Sequence, residues 1–112
     1  MSIAILRELT YKELQGWFRH RMELKGWNKG TIDTYYSDAF YVWRKESPEV
    51  FWKLIESINF KAEAEEKIQI LLLKYSSGNV KNNKQDYFRA LNIFREFCIF
   101  DNFESKRRWV KT

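Results

Sequence analysis

The sequence has few of the residues that build disulfides, metal sites and tight turns. Its 112 residues include one cysteine, one histidine, one proline and four glycines. A single cysteine excludes an intrachain disulfide and favours a reducing compartment, which we expect to be the cytoplasm. A zinc site needs several Cys or His ligands, and Cys98 and His20 are too few. The scarcity of proline and glycine favours long helices over many hairpins.

Long apolar runs and catalytic patterns are also missing. No apolar run approaches the ~20 residues that a membrane helix needs. The N-terminus lacks the apolar stretch and small-residue cleavage site of a signal peptide. Gly26 and Gly30 are isolated and do not continue into a phosphate-binding loop. Glu63 and Glu66 have the spacing of helix-surface charges, not of an acid/base pair in a cleft. We therefore expect no enzyme activity, no metal, no cofactor and no membrane segment in this chain.

The sequence is basic, and its positive charge is unevenly distributed. The net charge is +5. Residues 1–60 carry nine Lys and Arg against eight Asp and Glu, a net +1, whereas residues 61–112 carry eleven against seven, a net +4. Such an excess attracts polyanions, which favours a role in binding nucleic acid or an anionic membrane. An ordinary solvated basic surface explains the charge about equally well.

Aromatic residues make up 18% of the chain, and most of them recur at helical spacing. Thr10 and Glu13 have the spacing of a capping box, which predicts a helix over residues 11–25. Asn28 caps the next helix, whose inward stripe runs from Ile32 to Trp43 and whose polar face includes Tyr41. The remaining stripes predict three more helices. The first follows Ser47 and Pro48 and has a buried side from Phe51 to Ile58, and the second has a buried stripe from Ala64 to Tyr75 and ends at Gly78. The third is capped by Asn79 or Asn82, and its inward residues are Phe88, Leu91, Phe94, Phe97 and Cys98.

No segment alternates like a strand, so the sequence predicts an all-α fold, a single small bundle of four to five helices. The helical domain covers residues 10–101. Residues 1–9 form an apolar N-terminal arm, which we expect to be extended. Residues 102–112 form a basic tail or linker.

Two segments of this pattern resemble a known family. Residues 27–43, WNKGTIDTYYSDAFYVW, resemble the opening of the core-binding, SAM-like N-terminal domain of tyrosine recombinases, the phage-type integrases. The matching positions are Asn28, Thr31, Ile32, Tyr35, Asp38, Ala39 and Val42–Trp43. Residues 88–100, FRALNIFREFCIF, are similar to the last helix of that domain. The chain departs from the family at Asp33, Tyr36 and Ser37, where family members often carry Arg or Lys.

The resemblance implies a helical bundle that packs against one side of double-stranded DNA in integration and recombination. In that family a separate C-terminal catalytic domain of a longer chain closes a clamp on the other side of the duplex. The catalytic Arg, His and Tyr belong to that second domain and have no counterpart in this sequence. The basic segment KRRWVKT, residues 106–112, lies where the interdomain linker is expected.

The residue types at two helix starts indicate where DNA would be contacted. Phosphates are bound by Lys, Arg, Thr, Asn, Gln and the free N–H groups of helix N-termini, and Asn, Gln and Lys can also pair with base edges. Such residues open the second helix and the last one. The predicted DNA-binding residues are Lys29, Thr31, Thr34, Lys81, Asn82, Lys84, Gln85 and Arg89.

Two other functions fit the sequence. In a helical protein–protein interaction module, exposed Trp27, Trp52 and Trp109 would contact a partner helix. In a small helix-turn-helix regulator, residues 25–30 would form the turn. No basic recognition helix follows that turn, which makes the regulator the weaker alternative.

Overall fold

The computed structural model describes residues 3–75 and 80–101, and the side chains of all of these except 80–82, 100 and 101. The elements in this part of the chain are α1 Ile3–Leu6, α2 Tyr11–Leu24, α3 Lys29–Asp38, α4 Tyr41–Lys45, α5 Pro48–Ile55, α6 Phe60–Tyr75, α7 Val80–Glu96 and a π-helical turn Phe97–Asp101. It contains no strand, and five of its helices have eight or more residues. The predicted small all-α bundle is confirmed. None of the described helices has both the length and the apolar character needed to cross a bilayer.

Helix α2 begins where its sequence predicts and ends one residue before its predicted end, at Leu24. Thr10 Oγ1 accepts a hydrogen bond from the Glu13 amide at 3.2 Å, and the Thr10 amide donates to Glu13 Oε1 at 2.9 Å. This is a complete capping box. Lys25 is the C-cap residue, and Gly26 follows it with φ of 78°. Glycine adopts this left-handed conformation without a steric penalty, which explains why the helix stops here.

Removal of the Thr10 hydroxyl tests this cap. Thr10→Ala is expected to lower the free energy of unfolding by about 1 kcal/mol, because the Glu13 amide loses its acceptor. Urea denaturation followed by far-UV circular dichroism measures the loss. Thr34→Ala, which removes an exposed hydroxyl inside α3, is the matched control and should leave stability nearly unchanged. Equal losses in both variants would contradict the role of the cap.

The helix predicted to run to Trp43 is interrupted at Phe40. Asn28 caps α3 as predicted, and its Oδ1 accepts from the Thr31 amide at 2.8 Å. The helix then ends at Asp38, and Phe40 has φ of −104° and ψ of 18° before α4 begins. This turn brings Phe40 and Tyr41 into the core, where they are 0% and 5% exposed. The prediction that Tyr41 lies on the polar face is wrong, because a continuous helical period was assumed.

Three apolar segments also lie differently from their predictions. Helix α5 stops before Ile58, which falls in the connection to α6 and is 96% exposed. Tyr75, at the end of α6, is half exposed, with the ammonium groups of Lys45 and Lys74 over its ring. The N-terminal arm is not extended over the described residues, because α1 is helical and Leu6 is fully buried.

Helix α7 begins before Asn82, which is one of its two predicted cap residues. The helix begins at Val80, so Asn82 lies inside its first turn and is not the cap residue. The alternative cap, Asn79, and the predicted helix end at Gly78 lie outside the described residues.

The core is a cluster of aromatic rings centred on Phe94. This fully buried side chain contacts five rings at centroid distances from 5.2 to 6.0 Å. The five are Trp17, Phe18, Phe40, Phe51 and Trp52. All of these pairs except Trp52–Phe94 are edge-to-face, an arrangement that adds to the free energy gained by apolar burial. The cluster joins α7 to α2 and α5, and α3 packs directly against α7.

Polar and thiol groups near the end of α7 are engaged or buried. Arg95 Nε donates to the Ile55 carbonyl at 3.0 Å, which satisfies an acceptor at the C-terminal end of α5. Cys98 is 3% exposed, and burial raises the pKa of its thiol. A thiol that stays protonated is a poor nucleophile, in agreement with the predicted buried cysteine.

Candidate nucleic-acid interface

A groove with a volume of about 430 Å³ lies between α3 and α7. Helix α3 contributes Gly30, Thr31, Thr34, Tyr35 and Asp38, and helix α7 contributes Asp86 and Arg89. Asn28, the cap of α3, completes the lining, and we call this surface the α3–α7 groove. A second depression of about 420 Å³ shares Asn28, Thr31 and Tyr35 with it. The concave surface therefore extends beyond the N-terminal end of α3 towards Trp27.

The α3–α7 groove brings together predicted residues that are far apart in the sequence. Thr31 and Thr34 from α3 meet Arg89 from α7 along its lining. Lys29 is exposed at the first position of α3, and Gln85 is exposed one turn before Arg89 on α7. These five residues offer two cationic groups and several hydrogen-bonding groups from two adjacent helices.

The other three predicted residues are placed differently. Lys84 is half-buried, and its Nζ donates to Gln69 Oε1 of α6 at 3.3 Å. Its ammonium group is therefore turned towards α6 and does not line the α3–α7 groove. Lys81 and Asn82 belong to the first turn of α7, but their side chains lie outside the described residues.

Part of the polar capacity at the start of α3 is used within the helix. The Thr31 amide donates to Asn28 Oδ1, and the Thr34 hydroxyl donates to the Gly30 carbonyl at 3.0 Å. Since the first amides of a helix have no intrahelical acceptor, those of Lys29 and Gly30 stay available within the described part of the chain. An anion at this end would be bound by these amides and the Lys29 ammonium group.

Two carboxylates oppose the cationic groups of the α3–α7 groove. Asp38 on α3 and Asp86 on α7 both line it. Burial raises the pKa of Asp38 above its ordinary value and the charge of Asp86 raises it further, whereas Arg44 lowers it. When both carboxylates are ionised, their two negative charges exceed the single positive charge of Arg89 in the groove lining. The sequence does not predict that Asp86 lies near Asp38, because their proximity depends on how α3 packs against α7.

A tyrosine pair beside Asp38 fixes the contact between α4 and α7. The rings of Tyr41 and Tyr87 stack with centroids 4.2 Å apart and an interplanar angle of 7°. Burial raises the pKa of Tyr87, and the charge of Asp38 adds to this shift. The stack holds α7 in register with the segment that leads out of α3.

A further acidic residue of α3 is neutralised by an ion pair. Asp33 Oδ1 accepts from Arg19 Nη2 of α2, and the Arg19 guanidinium lies 4.7 Å from the centroid of the Tyr36 ring. This contact raises the pKa of Arg19, chiefly through its hydrogen bond to Asp33. The exposed face of α3 is therefore less acidic than its sequence indicates.

The tryptophans predicted to form an interaction surface are largely unavailable. Trp52 is 3% exposed in the core, so the prediction that it is exposed is wrong. Trp27 is half-buried, and its ring lies 5.8 Å from the centroids of both Tyr35 and Phe97. Trp109 lies outside the described residues. Within the described part of the chain, Trp52 lies in the core and Trp27 packs against it.

Ligands for a metal do not gather in the described part of the chain. Among residues 3–75 and 80–101, no three His, Cys, Asp or Glu side chains are grouped so as to hold an ion. His20 is exposed on α2.

No protein-family model, curated protein or solved structure matches this chain.

Proposed function

We propose that this chain is a double-stranded DNA-binding domain of the tyrosine recombinase type. In this proposal it contributes to site binding in DNA integration and recombination, and catalysis belongs to a separate C-terminal domain of a longer chain. One observation carries the proposal: Thr31 and Arg89, which belong to two helices far apart in the sequence, line the same groove beside exposed Lys29. The SAM-like sequence pattern of residues 27–43 and the net charge of +5 support it.

The proposed binding mode follows from where the charges lie. Lys29 and the first amides of α3 contact the phosphate backbone, since this end of the groove is free of carboxylates. Gln85 and Arg89, one turn apart on an exposed face of α7, reach base edges or a second phosphate. Asp38 and Asp86 repel phosphates, so they keep the backbone at the end of the α3–α7 groove nearest Lys29.

A duplex titration at several salt concentrations tests the proposal. Fluorescence anisotropy of a labelled duplex is expected to show binding at low salt. The logarithm of the association constant should fall linearly with that of the salt concentration, with a slope of about 0.9 for each phosphate contact. A wild-type chain that fails to bind duplex DNA even at low salt would overturn the proposed function.

Neutralising Arg89 tests the assigned surface. Arg89→Gln is expected to weaken duplex binding about tenfold, a loss of about 1.4 kcal/mol, and to reduce the salt slope by about one if it contacts a phosphate. Lys61→Gln is the matched control, because it removes the same charge from an exposed residue of α6 that does not line the α3–α7 groove. Equal losses in both variants would mean that net charge, and not this groove, determines binding.

A further inference from the structure

A second groove, with a volume of about 310 Å³, lies between α5 and α6. It shares no lining residue with the α3–α7 groove. Its apolar lining is Val50, Leu54 and Ile70. Ile70 is 49% exposed, and Leu73, one turn further along α6, is 66% exposed. An apolar strip therefore continues from this α5–α6 groove onto the surface, as is typical of contact sites.

The charged residues without an ion-pair partner on the two walls of the α5–α6 groove have opposite signs. Lys67 is satisfied within the chain, since its Nζ lies 3.1 Å from Glu46 Oε1. Lys53 on the α5 wall and Glu63 and Glu66 on the α6 wall have no ion-pair partner in the described part of the chain. One wall thus carries an unpaired cation, and the other carries two unpaired carboxylates.

We propose that the α5–α6 groove is the contact surface of a homodimer. A second copy of this chain packs its own groove against the first around a two-fold axis that runs along the groove. Such a rotation exchanges the two walls, so the α5 wall of each copy faces the α6 wall of the other. Lys53 of one copy then lies opposite Glu63 and Glu66 of the other, and the arrangement occurs twice.

The short connection between the helices supports this register. Helix α5 ends at Ile55 and α6 begins at Phe60, so the two helices form a hairpin joined by four residues, 56–59. Lys53, near the end of α5, and Glu63, near the start of α6, are both close to this connection. Rotation about an axis along the groove keeps each residue at its own end, and the opposite charges meet there.

A second copy fits this surface better than a partner of a single charge. A cationic helix would satisfy Glu63 and Glu66 but would be repelled by Lys53, and an acidic helix would meet the reverse problem. Only a partner that presents both signs on opposite walls satisfies all three residues. The same chain presents this pattern, and its Ile70 and Leu73 supply an apolar contact further along α6 from the charged end.

Sedimentation of the full chain over a range of concentrations tests the dimer. The wild type is expected to shift from one chain to two as the concentration rises. Lys53→Glu places three carboxylates in each half of the contact and should raise the dissociation constant at least tenfold. Leu73→Lys, which leaves the charged pairs intact, should also weaken the dimer. A wild type that stays monomeric throughout, or a dimer that either variant leaves unchanged, would overturn the proposal.

A charge exchange between two chains sharpens the test. Lys53→Glu chains repel each other across both walls, and so do chains that carry Glu63→Lys with Glu66→Lys. In a mixture of the two variants, however, both contacts regain opposite charges. We expect the mixture to form a heterodimer under conditions where each variant alone is a monomer. A mixture without heterodimers would contradict the proposed register. DNA binding is not measured in this experiment, so its outcome is independent of the proposed function.

Discussion

Phe94→Ala is expected to lower the free energy of unfolding by about 3–5 kcal/mol. The side chain is fully buried, and its ring is the common contact of rings from α2, α5 and the turn before α4. Truncation removes its buried apolar surface and leaves a cavity that the surrounding rings cannot fill without moving. Since domains of this size are stable by about 5–15 kcal/mol, the variant should be close to unfolding at room temperature.

Urea denaturation followed by tryptophan fluorescence measures this loss, because Trp17 and Trp52 lie next to Phe94. Phe88→Ala is the matched control. Phe88 is on the same helix, but its side chain is half-buried and its ring contacts Phe60 at the edge of the core. It should lose clearly less stability than Phe94→Ala. Similar losses for the two variants would show that the core is not centred on Phe94.

The parts of this fold that could be predicted depend on short-range physics. The residue types of Thr10, Asn28 and Ser47 and of their neighbours within three positions are typical of N-caps. Each of the three side chains accepts a hydrogen bond from the backbone amide three residues further on. A cap is decided locally, so sequence is sufficient. The interruption at Phe40 is different, because neither proline nor glycine marks it. It forms because the core takes in the rings of Phe40 and Tyr41, and tertiary packing of this kind overrides helical propensity.

In the candidate site, too, some features could be predicted from the sequence and others depend on how the helices pack. Thr31 and Arg89 could be selected by residue type, and the packing of α3 on α7 brings them to one groove although Arg89 lies in the middle of α7. The apposition of Asp38 and Asp86 could not be predicted, because it needs the relative rotation of two helices separated by more than 40 residues. Lys84 illustrates the same limit, since its contact with Gln69 is set by the packing of α6 on α7.

Removal of both groove carboxylates is expected to strengthen duplex binding about a hundredfold at low salt. This prediction rests on the proposed function. Asp38→Asn with Asp86→Asn keeps the size of both side chains and removes two negative charges from the lining of the α3–α7 groove. A charge about 4 Å from a phosphate costs roughly 1–4 kcal/mol, depending on how well solvent screens it. A cost of about 1.4 kcal/mol for each carboxylate corresponds to tenfold in affinity for each. The gain should shrink as salt rises, because screening weakens the repulsion.

A control variant separates this local effect from net charge. Glu8→Gln with Glu49→Gln changes the net charge by the same amount at two exposed residues that line neither groove. It should raise the affinity far less than the groove variant. If the two double variants bind equally well, the carboxylates do not face the DNA.

The pH dependence of binding gives an independent check on the same carboxylates. Burial and the charge of Asp86 raise the folded-state pKa of Asp38 above its unfolded value of about 3.9. Folding therefore favours its protonated form, and the resulting stability is present below the unfolded pKa and is lost as the pH rises through the folded one.

As the pH falls through the raised pKa of Asp38, the wild type should bind duplex DNA more tightly, because the groove loses negative charge. Anisotropy titrations should show this step in the wild type and not in Asp38→Asn with Asp86→Asn; a step of equal size in both would assign it to another group.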